Sequence, residues 1–189
     1  MMPIFYLVKI TLLVLMLTSP MAMSATTEYQ EIEWTDLIPK DDLDLLLNPP
    51  AQLLEIEDGS TQDSITAASN SKQDEEVERY LNALSSSRIV EKYKKKSIKI
   101  PGFVVPLSSE GQRKITEFFI VPYFGACLHM PPPPPNQIIY VKYKQGIELK
   151  SLYEPFWFTG ILMIETVENS MGSSAYSLHL NDISPYEEP

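Results

Sequence analysis

Cysteine and histidine are scarce in this chain of 189 residues, which has one cysteine, Cys127, and two histidines, His129 and His179. A single cysteine cannot form an intrachain disulfide, so a disulfide-stapled scaffold is excluded. The chain also lacks a phosphate-binding glycine loop, a dinucleotide fingerprint and a Gly-x-Ser-x-Gly elbow. The common nucleotide-binding and hydrolase motifs therefore give no guide to the function of this chain.

Positive charge is scarce as well. The chain has 15 lysines and arginines against 25 aspartates and glutamates, which gives a formal net charge of −10. A protein this acidic repels phosphate backbones and anionic membrane surfaces. We therefore expect no nucleic-acid partner, and we interpret the scattered carboxylates, Asp41 and Asp42 among them, as solvated charge.

The N-terminus carries the pattern of a secretory signal peptide. Lys9 precedes an apolar stretch from Ile10 to Leu17, and small residues follow before Ala25. This order is typical of an export signal, so we predict a signal peptide over residues 1–24 with cleavage after Ser24. The apolar stretch is shorter than the ~20 residues that span a bilayer, and no membrane span is expected after cleavage. An uncleaved N-terminal anchor is the alternative.

Residues 25–56 are predicted to be an N-terminal docking segment. Trp34, Leu37 and Ile38 form an apolar cluster, after which Asp41 and Asp42 are placed to cap a short helix. That helix contains four leucines, Leu43, Leu45, Leu46 and Leu47, and ends at Pro49 and Pro50. A peptide motif that binds an outside partner is the alternative. Residues 57–74 are rich in Ser, Thr, Asp and Gln and predict a polar linker.

Residues 75–189 are predicted to form one domain, a helix followed by an antiparallel β-barrel. Apolar residues recur at helical spacing from Asp74 to Ser85. Six β-branched and aromatic runs follow, separated by turn signals: RIVEKY, SIKIPGFVVPL, KITEFFIVPYF, QIIYVKYK, FWFTGILMIETV and AYSLHLNDI. No crossover helix separates them. The pattern predicts a mainly β fold, a small antiparallel barrel with a short helical N-terminal extension.

The stretch FGACLHMPPPPPNQ, from Phe124 to Gln137, combines the cysteine, one histidine and five consecutive prolines. Proline fixes its own φ and extends the preceding residue, so Met130 through Pro135 is predicted to form a polyproline II rod. The rod should cross an end or edge of the barrel because prolines cannot sit in a central strand. Asn136 would then turn the chain into the next strand, Gln137 to Lys144.

Extended geometry places Cys127 and His129 on one face of this segment. Sulfur and nitrogen ligands suit zinc or copper, so the pair could hold a metal ion, with His179 as a third ligand if the fold brings it near. A thiolate–imidazolium pair for redox or nucleophilic chemistry is a second possibility. A buried thiol and a hydrogen-bonded imidazole with a purely structural role is the third.

Three stretches, IPGFVVPL, TEFFIVPYFGACLHMPPPPPNQIIYV and FWFTGILMIE, resemble a bacterial family catalogued as domain of unknown function 3299. The upstream WTDLIPKDD is similar to the way that family begins. The resemblance implies a periplasmic protein of Gram-negative bacteria with a barrel of oligonucleotide/oligosaccharide-binding (OB) topology. It also implies an association with ABC transporter systems, some of them for metal uptake, and no established activity. The family's distinctive positions correspond to Gly102, Pro106, Pro122, Tyr123, Phe124, Gly125, Cys127, His129, Pro131 to Pro135, Asn136 and Gln137.

The sequence therefore supports three hypotheses. The first is a periplasmic accessory protein that contacts ABC transporter subunits through the proline segment and its neighbours: Tyr123, Phe124, Pro131, Pro132, Pro133, Pro134, Pro135, Asn136 and Gln137. The second is a zinc- or copper-handling protein that uses Cys127, His129 and His179. The third, an enzyme with Cys127 as its reactive centre, lacks an orienting acid beside His129, so no catalytic residue is assigned and an enzyme is not expected.

Overall fold

The structure is a computed structural model that describes residues 28–54, 75–110, 114–125 and 133–187. The described strands are β1 (Gln30–Glu31), β2 (Lys96–Glu110), β3 (Lys114–Val121), β4 (Ile139–Ile147), β5 (Phe156–Asn169) and β6 (Gly172–Pro185). The α-helices are α1 (Lys40–Leu47), α2 (Ala51–Leu54) and α3 (Glu75–Leu84), and 3₁₀ turns span Trp34–Leu37, Glu91–Tyr93 and Pro135–Gln137. None of the described helices is long and apolar enough to cross a membrane. The predicted signal peptide and the whole of the predicted linker lie outside the described residues.

Five strands close into a barrel. Their order around the ring is β2, β3, β4, β6 and β5, and β5 pairs back to β2. This is the strand order of an OB barrel, so the prediction of a mainly β, OB-like barrel is confirmed. Within the ring, one pairing differs from the expected antiparallel pattern, because β4 and β6 run parallel through Ile139–Tyr176 and Tyr140–Ser177. The reason is geometric: a closed ring with an odd number of strands cannot alternate direction at every pair.

Strand β2 changes partner at its centre, and Gly102 marks that point. Lys96 to Gly102 pair with β5, whereas the residues from Phe103 onward pair with β3. A Cβ added at Gly102 would lie 2.6 Å from Ile120 Cγ2 and 2.9 Å from the carbonyl oxygen of Val121. Only glycine therefore allows β3 to approach this closely and the ring to close.

The second half of strand β3, from Phe118 to Val121, is buried on both faces. Phe118 and Ile120 point into the barrel and join the main core, which includes Phe158 and Tyr176. The alternate residues Phe119 and Val121 point outward yet are equally inaccessible, in a second apolar cluster with Ile138. A strand covered on both faces explains why the sequence reads as an unbroken apolar run at this point.

The N-terminal segment is docked on one end of the barrel. Trp34 and Leu37 belong to the main core, and the Trp34 indole nitrogen donates a hydrogen bond to the Pro101 carbonyl oxygen at 2.7 Å. Tyr176 donates its hydroxyl proton to the Leu37 carbonyl oxygen at 3.0 Å. The leucine-bearing helix α1 packs instead against helix α3. The Trp34 region is thus part of the main core.

One predicted strand is not part of the sheet. The run RIVEKY is not a strand: it is irregular and ends in the 3₁₀ turn Glu91–Tyr93. Its apolar residues are packed against the core without joining the sheet, and the Val90 N–H bonds the Tyr176 hydroxyl at 2.7 Å. Apolar residues placed against a core leave the same pattern in the sequence as a short strand.

Asp41 and Asp42 lie inside helix α1, whose N-cap is Pro39, so they do not cap it. Asp42 is buried and accepts hydrogen bonds from Ser86 Oγ at 2.6 Å and from the Arg88 guanidinium at 2.7 Å. Solvated charge is therefore the wrong description of Asp42. A buried carboxylate is stable only with such partners, and both come from the connection between α3 and β2.

Candidate functional site

Tyr123 and Phe124 leave the barrel at the end of strand β3 with their rings exposed. The exposed fractions are 49% for Tyr123 and 43% for Phe124. Gly125 follows with a φ of 76°, a left-handed conformation that glycine adopts without strain and that turns the chain sharply. Two large apolar rings are thus presented to solvent directly before the proline segment.

Phe124 lines an apolar groove of about 310 Å³. The walls come from parts of the chain that are far apart in sequence: Phe103, Val105 and Pro106 of β2, Phe124, Leu152 and Tyr153 of the β4–β5 connection, and Met171 of the β5–β6 turn. All the described residues that line this groove are uncharged. A groove of this size is near the lower end of the range that binds small ligands or anchoring side chains.

Aromatic contacts fix the rim of the groove. The Phe124 and Tyr153 rings lie 4.4 Å apart between centroids at 35°, and Phe103 meets Phe124 edge-on at 6.3 Å. Tyr153 is nevertheless 73% exposed. We call the exposed residues that line the groove the groove cluster: Phe124, Leu152, Tyr153 and Met171. Contiguous exposed apolar side chains of this kind are typical of interaction surfaces.

The groove cluster continues the second apolar cluster. Phe103 and Val105 pack against buried Phe119 and Val121 on the outer face of the barrel. The β5–β6 turn lies over the same face, since a Cβ added at Gly172 would lie 3.8 Å from Ile138 Cδ1 and 4.0 Å from Phe119 Cε2. The exposed rings therefore rest on a packed base, which keeps them in place for contact with another molecule.

Sequence reasoning found Tyr123 and Phe124 but missed Leu152, Tyr153 and Met171. The three missed residues lie in the two stretches that separate the last three predicted strand runs, where the sequence predicts turns. Large apolar side chains inside a turn segment are the signal that could have found them, because such residues seldom remain exposed without a partner.

The proline segment is described only in part. Cys127, His129, Pro131 and Pro132 lie outside the described residues. Pro134 has φ −61° and ψ 153°, which is polyproline II geometry, whereas Pro135 already begins the 3₁₀ turn into β4. The predicted rod therefore stops short of Pro135. Pro133 is buried and Pro134 half-buried, so these two rings offer limited surface to a partner.

Asn136 and Gln137 are interior residues, and we remove them from the proposed contact surface. They are 1% and 9% exposed. The Gln137 side-chain amide donates to the Trp34 carbonyl oxygen at 2.9 Å, and the Asn136 amide donates to the Arg88 carbonyl oxygen at 3.0 Å. Their role in this structure is to fasten the N-terminal segment and the approach to β2 onto the barrel.

His179 lies on β6 opposite Ile161, with its side chain exposed on the outer face. The proline segment enters β4 at Ile139, which pairs with Tyr176. Because β4 and β6 run parallel, His179 is three residues, about 10 Å, farther along β6 and away from that entry point. Among the described residues, no group of three or more His, Cys, Asp and Glu side chains is placed to hold a metal. Ligation by Cys127 and His129 stays a prediction.

A polar patch borders the apolar residues on the outer face. Lys142 Nζ lies 2.5 Å from Glu117 Oε1 across the β3–β4 pair. The hydrogen bond from Lys142 lowers the pKa of Glu117, while burial, followed by the charge of Glu117, raises the pKa of Tyr140. Tyr140 in turn packs edge-on against Phe119 at 6.3 Å. These groups form a cross-strand ion pair beside an aromatic pair, an arrangement that stabilises the sheet.

Comparison with known proteins places the chain in a family. The model of the family described as protein of unknown function (DUF3299) matches residues 34–185. A crystal structure of a DUF3299 family protein from Pseudomonas aeruginosa PAO1 is similar, with 29% sequence identity and a TM-score of 0.59. The similarity covers 86% of this chain and 99% of that chain. Comparison with curated proteins finds no match. The chain belongs to the DUF3299 family, as the motifs around Gly125 and the proline segment indicate.

Proposed function

We propose that this protein is a periplasmic accessory protein that works by protein–protein contact through the groove cluster. The partner we propose is a subunit of an ABC transporter, the association that the family resemblance implies. The observation that carries the contact function is the exposure of four large apolar side chains, all of which line one groove: Phe124, Leu152, Tyr153 and Met171. Monomeric proteins rarely leave such a patch uncovered without a use for it.

The chemistry of the cluster suits a contact site. Tyrosine and phenylalanine supply large, stiff, partly polar surfaces, and aromatic anchors dominate the binding energy of many interfaces. Phe124 and Tyr153 already contact each other, so little side-chain freedom is lost when a partner covers them. The net charge of −10 also favours a protein partner, because it disfavours nucleic acid as a ligand of this OB-like barrel.

Site-specific photo-crosslinking tests the proposal. A photoreactive phenylalanine analogue replaces Tyr153 in the full chain expressed in its native host, and crosslinked products are identified by mass spectrometry. The matched control carries the analogue at Leu47, which is 67% exposed on helix α1 and does not line the groove. We expect a transporter subunit to be crosslinked from Tyr153 and not from Leu47. Equal crosslinking from both positions, or a product with no transporter subunit, would refute the proposal.

A further inference from the structure

Two exposed glutamates lie close in the chain to residues that line the apolar groove. Glu154 follows Tyr153 in the β4–β5 connection, and Glu168 lies in the hairpin whose turn contains Met171. Both glutamates are exposed, and neither forms an ion pair with another described residue. Two negative charges thus stand on two of the segments that build the walls of the groove.

We propose that the groove binds a basic amphipathic segment of the partner, a deepening that rests on the proposed contact function. Apolar side chains of that segment enter between Phe124, Tyr153 and Met171, and flanking lysines or arginines face Glu154 and Glu168. Interfaces commonly combine an apolar centre with a charged rim, and complementary rim charges select the partner and speed association. The whole protein adds to this selection, since its net charge of −10 favours cationic partners.

The same charges argue against a membrane surface as the occupant. Anionic headgroups would meet Glu154 and Glu168 beside the groove and would be repelled. The nearby Lys150, two residues before Leu152, offers only one positive charge against those two glutamates. Vesicles therefore form one arm of the test. Vesicle binding without peptide binding counts against the proposal.

The test uses two synthetic probe peptides of about 18 residues, long enough to form a helix. Both have leucines at the same helical positions; one has lysine and the other glutamate at the remaining positions. Binding of each fluorescently labelled peptide to the purified mature protein is followed by anisotropy at several salt concentrations. Vesicles of phosphatidylglycerol and phosphatidylethanolamine are tested in parallel by co-sedimentation.

We expect the leucine–lysine peptide to bind about tenfold or more tightly than the leucine–glutamate peptide. Tyr153→Ser should weaken its binding by about fivefold or more, whereas Leu47→Ser should leave it unchanged. The double variant Glu154→Gln, Glu168→Gln should weaken binding by about threefold or more and flatten its salt dependence. Its matched control, Glu75→Gln with Glu78→Gln on helix α3, removes the same charge away from the groove and should have a smaller effect.

The proposal is overturned if both peptides bind equally, if the two double variants behave alike, or if vesicles bind and the peptides do not. These results are separable from the crosslinking result. A transporter crosslink at Tyr153 combined with indifference to peptide charge would leave the contact function standing and remove the basic partner segment. Charge-selective peptide binding without a transporter crosslink would keep the basic binding segment and remove the transporter subunit as the partner.

Discussion

The indole nitrogen of Trp34 lies 2.7 Å from the carbonyl oxygen of Pro101, a residue 67 positions later in the chain. Pro101 immediately precedes Gly102, the point where strand β2 exchanges β5 for β3. The N-terminal segment therefore bonds the backbone next to the place where the barrel closes. Removal of this segment should therefore destabilise the whole barrel and not only the N-terminus.

Trp34→Phe should lower the free energy of unfolding by about 1–3 kcal/mol, because an aromatic ring remains but the Pro101 carbonyl loses its donor. Trp34→Ala should cost about 3–5 kcal/mol, since it also leaves a cavity in the core. Urea denaturation followed by circular dichroism measures both values. If the two variants lose the same stability, the hydrogen bond rather than the ring accounts for the whole effect.

Gly102→Ala should destabilise the barrel by about 1–3 kcal/mol because the new methyl group meets Ile120 Cγ2 and the Val121 carbonyl oxygen. Adding Ile120→Ala should not restore the lost stability, since the contact with the Val121 backbone remains and a core side chain is removed. Thermal unfolding of the single and double variants tests this. A Gly102→Ala protein with wild-type stability would show that β3 can move away at no cost.

Asp42→Ala should lower the free energy of unfolding by about 1–3 kcal/mol because Ser86 and Arg88 lose a buried acceptor. Its neighbour provides the control: Asp41 also contacts Arg88 but is exposed, so Asp41→Ala should cost clearly less stability than Asp42→Ala. Chemical denaturation of both variants at neutral pH makes the comparison. Equal losses would mean that burial of Asp42 contributes nothing to the interaction.

Acid should weaken the contribution of Glu117. Its pKa in the folded state lies below the ordinary value of 4.5 because Lys142 donates a hydrogen bond to the carboxylate. A lowered folded-state pKa means that this stabilisation is complete above the unfolded-state value and is lost as pH falls through the folded-state value. Glu117→Gln should therefore be less stable than the wild type at pH 7, and the difference should shrink below about pH 4. Urea midpoints across that range measure it, and a difference that does not change with pH would contradict the assignment.

Metal binding by Cys127 and His129 is a separate proposal that rests on the sequence. Titration of purified protein with zinc and with copper(I) should show one site that the double variant Cys127→Ala, His129→Ala loses. His179→Ala should retain the site, because His179 lies on the outer face away from the start of β4. Identical binding by the wild type and the double variant would remove metal handling as a function.

The strands of the barrel could be predicted because each pairs through an apolar, β-branched run bounded by turn residues. Strand β1 could not, since its two residues, Gln30 and Glu31, are polar and pair with β2 through backbone atoms and the Lys99–Glu31 ion pair. The burial of Asp42 was equally hidden, because its partners Ser86 and Arg88 become neighbours only through packing of α1 against α3. The sequence pattern reports the periodicity of apolar side chains. The pairing of β1 and the burial of Asp42 depend instead on contacts between distant parts of the chain.

The groove illustrates the same limit. Phe124 stood out because it adjoins an unusual motif, whereas Tyr153 and Met171 lie in turns some 30 to 50 residues away. Only the closed ring brings those turns together over the outer face of β3. Conversely, the sequence predicts Asn136 and Gln137 as partner contacts because they follow the proline run. Hydrogen bonds to the carbonyl oxygens of Arg88 and Trp34 instead hold them in the protein interior.

The contact between Tyr176 and Leu37 spans 139 residues, from the start of the described chain to its last strand. A nascent polypeptide cannot complete its core until β6 is available, however early the Trp34 segment emerges. Folds dominated by such long-range closures mature slowly, since loop entropy must be lost before the final contacts compensate for it. Hydrogen-exchange labelling during refolding should find the amides of residues 30–38 among the last to become protected.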